Sequence, residues 1–173
     1  MCAERYEIVE NRLYLIDPEE GLHVEAPFNS VAERKFYPSG ELFSETFYQE
    51  GVLHGPSTFY AEGGMVLSKT WFVLGVQQGK AVQHYASGKL YSLQRFKEGV
   101  REGKQEYYYE DGSVKTLMTY KGGLLHGEVR LYHPNHQLKR ACQFVGGKRE
   151  GWDKMWDEEG TLLDEGEYPC LQN

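Results

Sequence analysis

The sequence predicts an all-β protein made of tandem β-hairpins, and three observations predict it. Glycine returns every 24 residues: Gly40, Gly64, Gly88, Gly112 and Gly160 form one column, with His136 in the remaining place. Gly51, Gly75, Gly99, Gly123 and Gly147 form a second column, and Gly55, Gly79, Gly103, Gly127 and Gly151 a third. Apolar residues keep the same step between the glycines, and no segment carries the i, i+3, i+4, i+7 stripe of an amphipathic helix.

Residues 1–31 lie outside this period. Short strands are expected at residues 6–9, 12–16 and 22–25, separated by Glu10-Asn11 and by the turn-forming DPEEG at residues 17–21. The segment reads as an N-terminal cap. The first strand of an array otherwise leaves unpaired N–H and C=O groups open to edge-to-edge association.

The array is expected over residues 32–168, about five and a half repeats. Each period reads strand, turn, strand, as in SGKLYSLQRFKEGVREGKQEYYY at residues 87–109. Glycine suits its turns because a positive φ costs a residue with a Cβ about 1 kcal/mol or more. Where His136 replaces glycine, Asn135 beside it is expected to take the left-handed position. Leu42, Val66, Leu90, Val114, Leu138 and Leu162 form an aliphatic column. Tyr48, Phe72, Phe96, Tyr120, Phe144 and Tyr168 form an aromatic one. On a regular strand, an even spacing puts residues 42 and 48 on one face. Residues 161–168 are half a repeat, and Asp164, Glu165 and Glu167 there would blunt the final edge. Pro169 ends that strand, and residues 169–173 form a tail.

Charge is unevenly placed in this 173-residue chain of net charge −7. Residues 1–30 sum to −5, residues 31–150 to +4 and residues 151–173 to −6. A mildly basic middle between acidic ends is not the strongly basic face of a nucleic-acid binder, and no nucleic-acid partner is expected. The basic middle permits a membrane-surface role. The best cationic pairs, Lys139-Arg140 and Lys148-Arg149, fall short of the clusters that mark acidic-lipid binding, so this role is not favoured. No apolar run reaches the roughly 18 residues of a membrane span, and no secretory leader is recognisable. Cys2, Cys142 and Cys170 are odd in number and widely spaced, which fits a reducing compartment. A cytoplasmic location is expected, with secretion that needs no leader left open.

The unit aromatic-x-x-Gly-x-x-x-Gly recurs as YQEGVLHG, FVLGVQQG, FKEGVREG, YKGGLLHG and FVGGKREG. It resembles the MORN repeat, and the 24-residue spacing with a (D/S)G turn is similar to its bacterial variant form, often labelled an antitoxin component. The resemblance covers roughly residues 33–168. It implies antiparallel hairpins stacked into one elongated, twisted sheet with a shallow groove. It also implies a binding or scaffolding role toward a protein partner, often a helix in the groove, or toward a phosphoinositide membrane.

No chemistry is expected: no catalytic residues, cofactor or metal. His54 and His126 share one turn column and read as turn packing. His133, His136 and Cys142 make an incomplete metal set. Glycine-rich KGGLLHG lacks the lysine and Ser/Thr of a P-loop. The sharper signal is a contrast between odd and even strand positions. Even positions repeat from hairpin to hairpin and odd ones vary. The odd face is therefore expected to be the partner groove, formed by Phe43, Phe47, Phe59, Leu67, Trp71, Tyr91, Leu93, Tyr107 and Leu117. Lys69, Arg95, Lys115 and Lys139 would flank it, so the expected partner is an apolar protein segment with acidic flanks, such as an amphipathic helix. Self-association through the same apolar band is the competing expectation.

Overall fold

The computed structural model describes residues 31–169 in full, and the strands Arg5–Val9 (β1), Arg12–Ile16 (β2) and His23–Pro27 (β3) as backbone. The described residues contain no helix. The remaining strands are β4 (Val31–Phe36), β5 (Leu42–Gln49), β6 (Val52–Tyr60), β7 (Val66–Val73), β8 (Val76–His84), β9 (Leu90–Lys97) and β10 (Val100–Arg101). They continue with β11 (Gly103–Tyr108), β12 (Val114–Lys121), β13 (Leu124–Leu125), β14 (Gly127–Tyr132), β15 (Leu138–Val145), β16 (Lys148–Trp156) and β17 (Leu162–Tyr168). β1–β3 form a small antiparallel sheet of their own. β4–β17 form one open 14-stranded sheet whose main strands follow chain order, with β10 paired to β9 and β13 to β12 off that path. The N-terminal strands thus add no strand to the β4 edge. The tail at residues 170–173 lies outside the described residues. The chain divides into two compact units, residues 1–79 and 80–173, and the division falls within β8.

Two turn types alternate. In the first, Tyr37 N–H donates to the Glu41 carbonyl (2.9 Å) and Gly40 N–H to the Tyr37 carbonyl (2.9 Å). The same pair of bonds recurs from Ala61, Tyr85, Tyr109, His133 and Asp157. This is a three-residue hairpin loop closed by a left-handed residue. At the His136 site the left-handed residue is His136 itself, with φ 72°, and not Asn135. The Asn135 side chain is engaged instead, donating to the Glu158 carbonyl (2.7 Å) and accepting from Gln137 N–H (3.1 Å).

The second turn has two consecutive residues at positive φ, which matches the right-handed twist of a two-residue hairpin. In three repeats the first of the two is not glycine: Glu50 (φ 50°), Leu74 (φ 48°) and Glu98 (φ 51°). Leu74 is 63% exposed, so its side chain gains little from packing. Leu74→Gly is expected to raise the unfolding free energy by about 0.5–1 kcal/mol, measured by urea denaturation. At the second position a Cβ would also be crowded in two of the turns. A Cβ on Gly123 would lie 3.3 Å from Val100 Cβ, and one on Gly75 would lie 3.1 Å from Val52 Cγ1. These contacts arise because Gly123 N–H reaches back to the Arg101 carbonyl (3.1 Å) and Gly75 N–H to the Leu53 carbonyl (2.7 Å).

Side chains also tie one period to the next. Tyr37 Oη donates to the Tyr60 carbonyl (2.7 Å), Tyr85 Oη to Tyr108 (2.8 Å) and Tyr109 Oη to Tyr132 (2.7 Å). His133 Nε2 makes the equivalent bond to the Trp156 carbonyl (2.9 Å). The buried positions are mostly small or hydrogen-bonding. They are Ser44, Thr46, His54, Ser57, Thr58 and Trp71 in the first unit, and Ala81, Ser92, Gln105, Val129, Ala141, Cys142 and Asp153 in the second. Gln105 is fully buried. Its side chain accepts from Arg95 N–H (3.0 Å) and donates to the Arg95 carbonyl (3.0 Å), stitching β9 to β11 beside the break between β10 and β11.

Candidate functional site

The two faces of the sheet follow from the registers. In the first unit Ser44 lies opposite Phe59, which lies opposite Ser68, while Glu45 lies opposite Thr58 and then Lys69. Phe59 therefore shares a face with Ser44 and Thr46, the even positions of β5. Phe47, Lys69 and Trp71 occupy the other face. In the second unit one face carries Ser92, Tyr107, Thr116, Leu131, Arg140 and Met155, and the other carries Leu93, Glu106, Leu117, Arg130, Ala141 and Lys154.

This corrects the expected groove. Phe47, Trp71, Leu93, Leu117, Lys69 and Arg95 keep the odd face, but Phe59 and Tyr107 lie on the opposite one. A β-bulge in each period is the physical cause. The pairing steps from Lys35↔Ser44 to Phe36↔Leu42, and so leaves Phe43 as the extra residue. Leu67, Lys115 and Lys139 are the extra residues of later periods. A bulge breaks strict alternation and re-aims the side chain. Phe43 thus packs edge-on against Phe59 (5.7 Å between ring centroids) and Tyr37 (5.1 Å). Tyr91 does the same against Tyr107 (6.0 Å) and Tyr85 (5.1 Å). Lys115 lies over the Tyr109 ring (5.5 Å). Residues 42 and 48, on either side of the bulge, are not held to one face by parity.

Trp71 is only 5% exposed, with the Lys69 ammonium 5.2 Å from its ring centroid. It is a packed residue of the first unit and not an open anchor. His54 is buried too, and its Nδ1 accepts from Leu74 N–H (3.3 Å) in the adjoining turn. His133 and His136 are engaged separately. His133 serves the carbonyl ladder, and His136 Nε2 meets Asp111 Oδ2 at 3.0 Å.

The Leu93/Leu117 face of the second unit holds two hollows. One of about 440 Å³ is lined by Glu128, Arg130, Tyr132, Leu138, Ala141, Trp152, Lys154 and Trp156. A smaller one of about 280 Å³ shares Glu128 and Arg130 and adds Lys104, Leu117 and Thr119. Aromatic, aliphatic and charged groups line the larger one together. Arg130 Nη2 donates to Glu128 Oε2 (2.6 Å), and Lys154 Nζ meets Glu165 Oε1 (2.7 Å). Of these residues Leu117 belonged to the groove expected from the sequence, Leu138 to its aliphatic column, and Tyr132 and Trp156 to a further column at the same step with Phe36, Tyr60, His84 and Tyr108. Glu128 and Arg130, two apart in GEVRLY, carried the signal of a charged pair on one strand face.

On the same face Glu106 collects Lys104 Nζ (3.0 Å), Tyr108 Oη (2.8 Å) and Arg95 Nη1 (3.2 Å). Burial pushes its carboxyl up, and these three donors outweigh that and hold it below the ordinary range. Tyr108 is pushed up to about 12, first by burial and then by its bond to Glu106. A raised folded value means stability present below the unfolded tyrosine pKa of about 10 and lost as pH rises toward 12. Alkaline denaturation should show this decline over that window, and Tyr108→Phe should reduce it.

Residues 32–50 and 101–121 match the MORN repeat variant. No curated protein matches the chain. MORN repeats serve in protein or membrane-lipid binding, and they are a binding or scaffold type not typically catalytic. No helix among the described residues is long and apolar enough to cross a membrane. Segments in two separate periods, on an open antiparallel sheet of stacked hairpins, are thus similar to the MORN repeat variant.

Proposed function

We propose that the chain is a non-catalytic protein-interaction module. Its array, residues 32–168, presents the Leu117/Arg130 face to a partner segment, with residues 1–31 before it and a tail after residue 168. The observation that carries this reading is the open hollow of about 440 Å³ on that face. Its lining of Trp152, Trp156, Tyr132 and Leu138 suits apolar side chains. Arg130 and Lys154 in the same lining suit acidic or polar groups beside them. An amphipathic helix with acidic flanks offers both.

Affinity capture with the intact chain, read by mass spectrometry beside Trp152→Ala/Arg130→Glu, tests this. Trp152 is 37% exposed, so its truncation leaves the fold in place, which circular dichroism verifies. A partner lost only in the variant supports the reading, with a loss of tenfold or more in affinity on the order expected for an aromatic anchor. Identical profiles, together with sedimentation on anionic but not neutral vesicles, would replace it with a lipid-surface role.

A further inference from the structure

His54 is 1% exposed, and its Nδ1 accepts from Leu74 N–H (3.3 Å). Leu74 is the first left-handed residue of the β7–β8 turn, and the next residue, Gly75, donates to the Leu53 carbonyl (2.7 Å). Together these two bonds fasten the turn to the start of β6. Two periods later a different side chain does the same work. Glu102 Oε2 accepts from Gly122 N–H (2.7 Å), beside the bond from Gly123 N–H to the Arg101 carbonyl (3.1 Å). Residues 54, 78, 102 and 126 stand one period apart and read His, Gln, Glu and His. At 54 and 102 the position supplies a side-chain acceptor for a turn N–H, and histidine is the acceptor whose lone pair a proton removes near neutral pH. We infer that His54 is an acid-sensitive latch, whose protonation releases the β7–β8 turn from β6.

A neutral imidazole has one N–H and one lone pair. With Nδ1 accepting, the proton sits on Nε2. A second proton, on Nδ1, leaves a donor facing the Leu74 N–H donor, and a buried imidazolium also forfeits its hydration. The carboxylates on the elements packed around His54 are Glu45 on β5 and Glu50 in the β5–β6 turn. Glu45 lies opposite Thr58 and is bonded to Arg34 (2.7 Å), and Glu50 is exposed. The other titratable groups there are Tyr48, opposite Leu53, and Lys69, opposite Thr58 with its ammonium over the Trp71 ring. Opening the turn returns the imidazole to water, where it titrates at about 6.5. The open form binds the proton more readily than the latched form, so the latch weakens as pH falls below that value.

The second unit responds otherwise. His133 Nε2 donates to the Trp156 carbonyl, and His136 Nε2 faces the Asp111 carboxylate, so a second ring proton leaves both bonds in place. The latch belongs to the first unit and the proposed partner hollow to the second, so either can fail without the other.

Amide hydrogen exchange of the intact chain, read by NMR from about pH 7.5 to about pH 5, is the test. The protection factor of the Leu74 amide is expected to fall by roughly tenfold or more over that range. The Gly123 amide, held by a carbonyl, should keep its protection. His54→Gln installs the residue that the next period carries, Gln78, an acceptor that does not titrate. It should hold the Leu74 protection constant. The ring nitrogens of the parent give a readout that needs no variant: at about pH 7.5 Nε2 should carry the proton and Nδ1 none. Leu74 protection unchanged across the range, an equal fall in His54→Gln, or a proton on Nδ1 at the upper pH would each overturn the proposal.

Discussion

Trp71→Ala is expected to lower the unfolding free energy by roughly 3–5 kcal/mol. Among the described residues of the first unit, Trp71 is the one large apolar side chain that is fully buried, at 5% exposure. It lies opposite Pro56 across the β6–β7 ladder, with the Lys69 side chain over its ring. The paired β6 strand, with Pro56 opposite, leaves the site little freedom to collapse, so most of the removed volume stays as a cavity. Urea denaturation followed by circular dichroism measures the loss. A loss below 1 kcal/mol would mean that the indole packs far more loosely than its burial implies. The result also bears on binding experiments. A Trp71 variant that loses a partner would report on folding, whereas Trp152 is 37% exposed and its truncation spares the fold.

The second large effect belongs to Asp153. Arg140 grips this buried carboxylate with two bonds, Nε to Oδ1 (2.8 Å) and Nη2 to Oδ2 (2.6 Å), and Arg149 Nη1 adds a third contact at 3.0 Å. Arg140→Met should destabilise by about 2–3 kcal/mol. Breaking a buried pair is more damaging than replacing it, and here Arg149 remains to share the charge. Arg140→Met/Asp153→Asn should recover part of the loss, since no buried charge is then left unpaired. Acid titration gives an independent readout. The Arg140 hydrogen bonds are the chief reason that the Asp153 carboxyl lies below its ordinary value. A depressed folded pKa adds stability that is present above the unfolded aspartate value of about 3.9. That stability is lost as pH falls below this value toward the folded pKa. The parent should therefore weaken through this acid window, and Arg140→Met should flatten that part of the profile.

The hairpins were legible because their turns make a demand that few residues meet. Gly123 must adopt φ 80° and must also lack a Cβ beside Val100. Both requirements leave one residue type at one spacing, and a single sequence displays that directly. Face assignment was not legible in the same way. Parity carries along a strand only while every residue is paired, and the extra residue at Phe43 resets it. One unpaired residue in a period moved Phe59 away from the face of Trp71 in the first unit, and Tyr107 away from the face of Leu117 in the second. The carbonyl ladder was half visible. Tyr37, Tyr85 and Tyr109 form a column in the sequence, but their acceptors are backbone atoms, which no side chain marks. The Arg140–Asp153 pair lay hidden because its residues come from adjacent strands, one of them in the variable part of the repeat.

Chain-order pairing of β4 to β17 has a kinetic consequence. No strand in that sheet waits for a distant segment, so each ladder closes over a short loop and forfeits little chain entropy. A β-protein of this kind should fold faster than a sandwich or barrel of equal length, whose pairings span the whole chain. It should also fold as it is synthesised. Each hairpin that leaves the ribosome finds its only sheet neighbour already outside, so the sheet grows at its advancing edge and exposes one unpaired strand at a time.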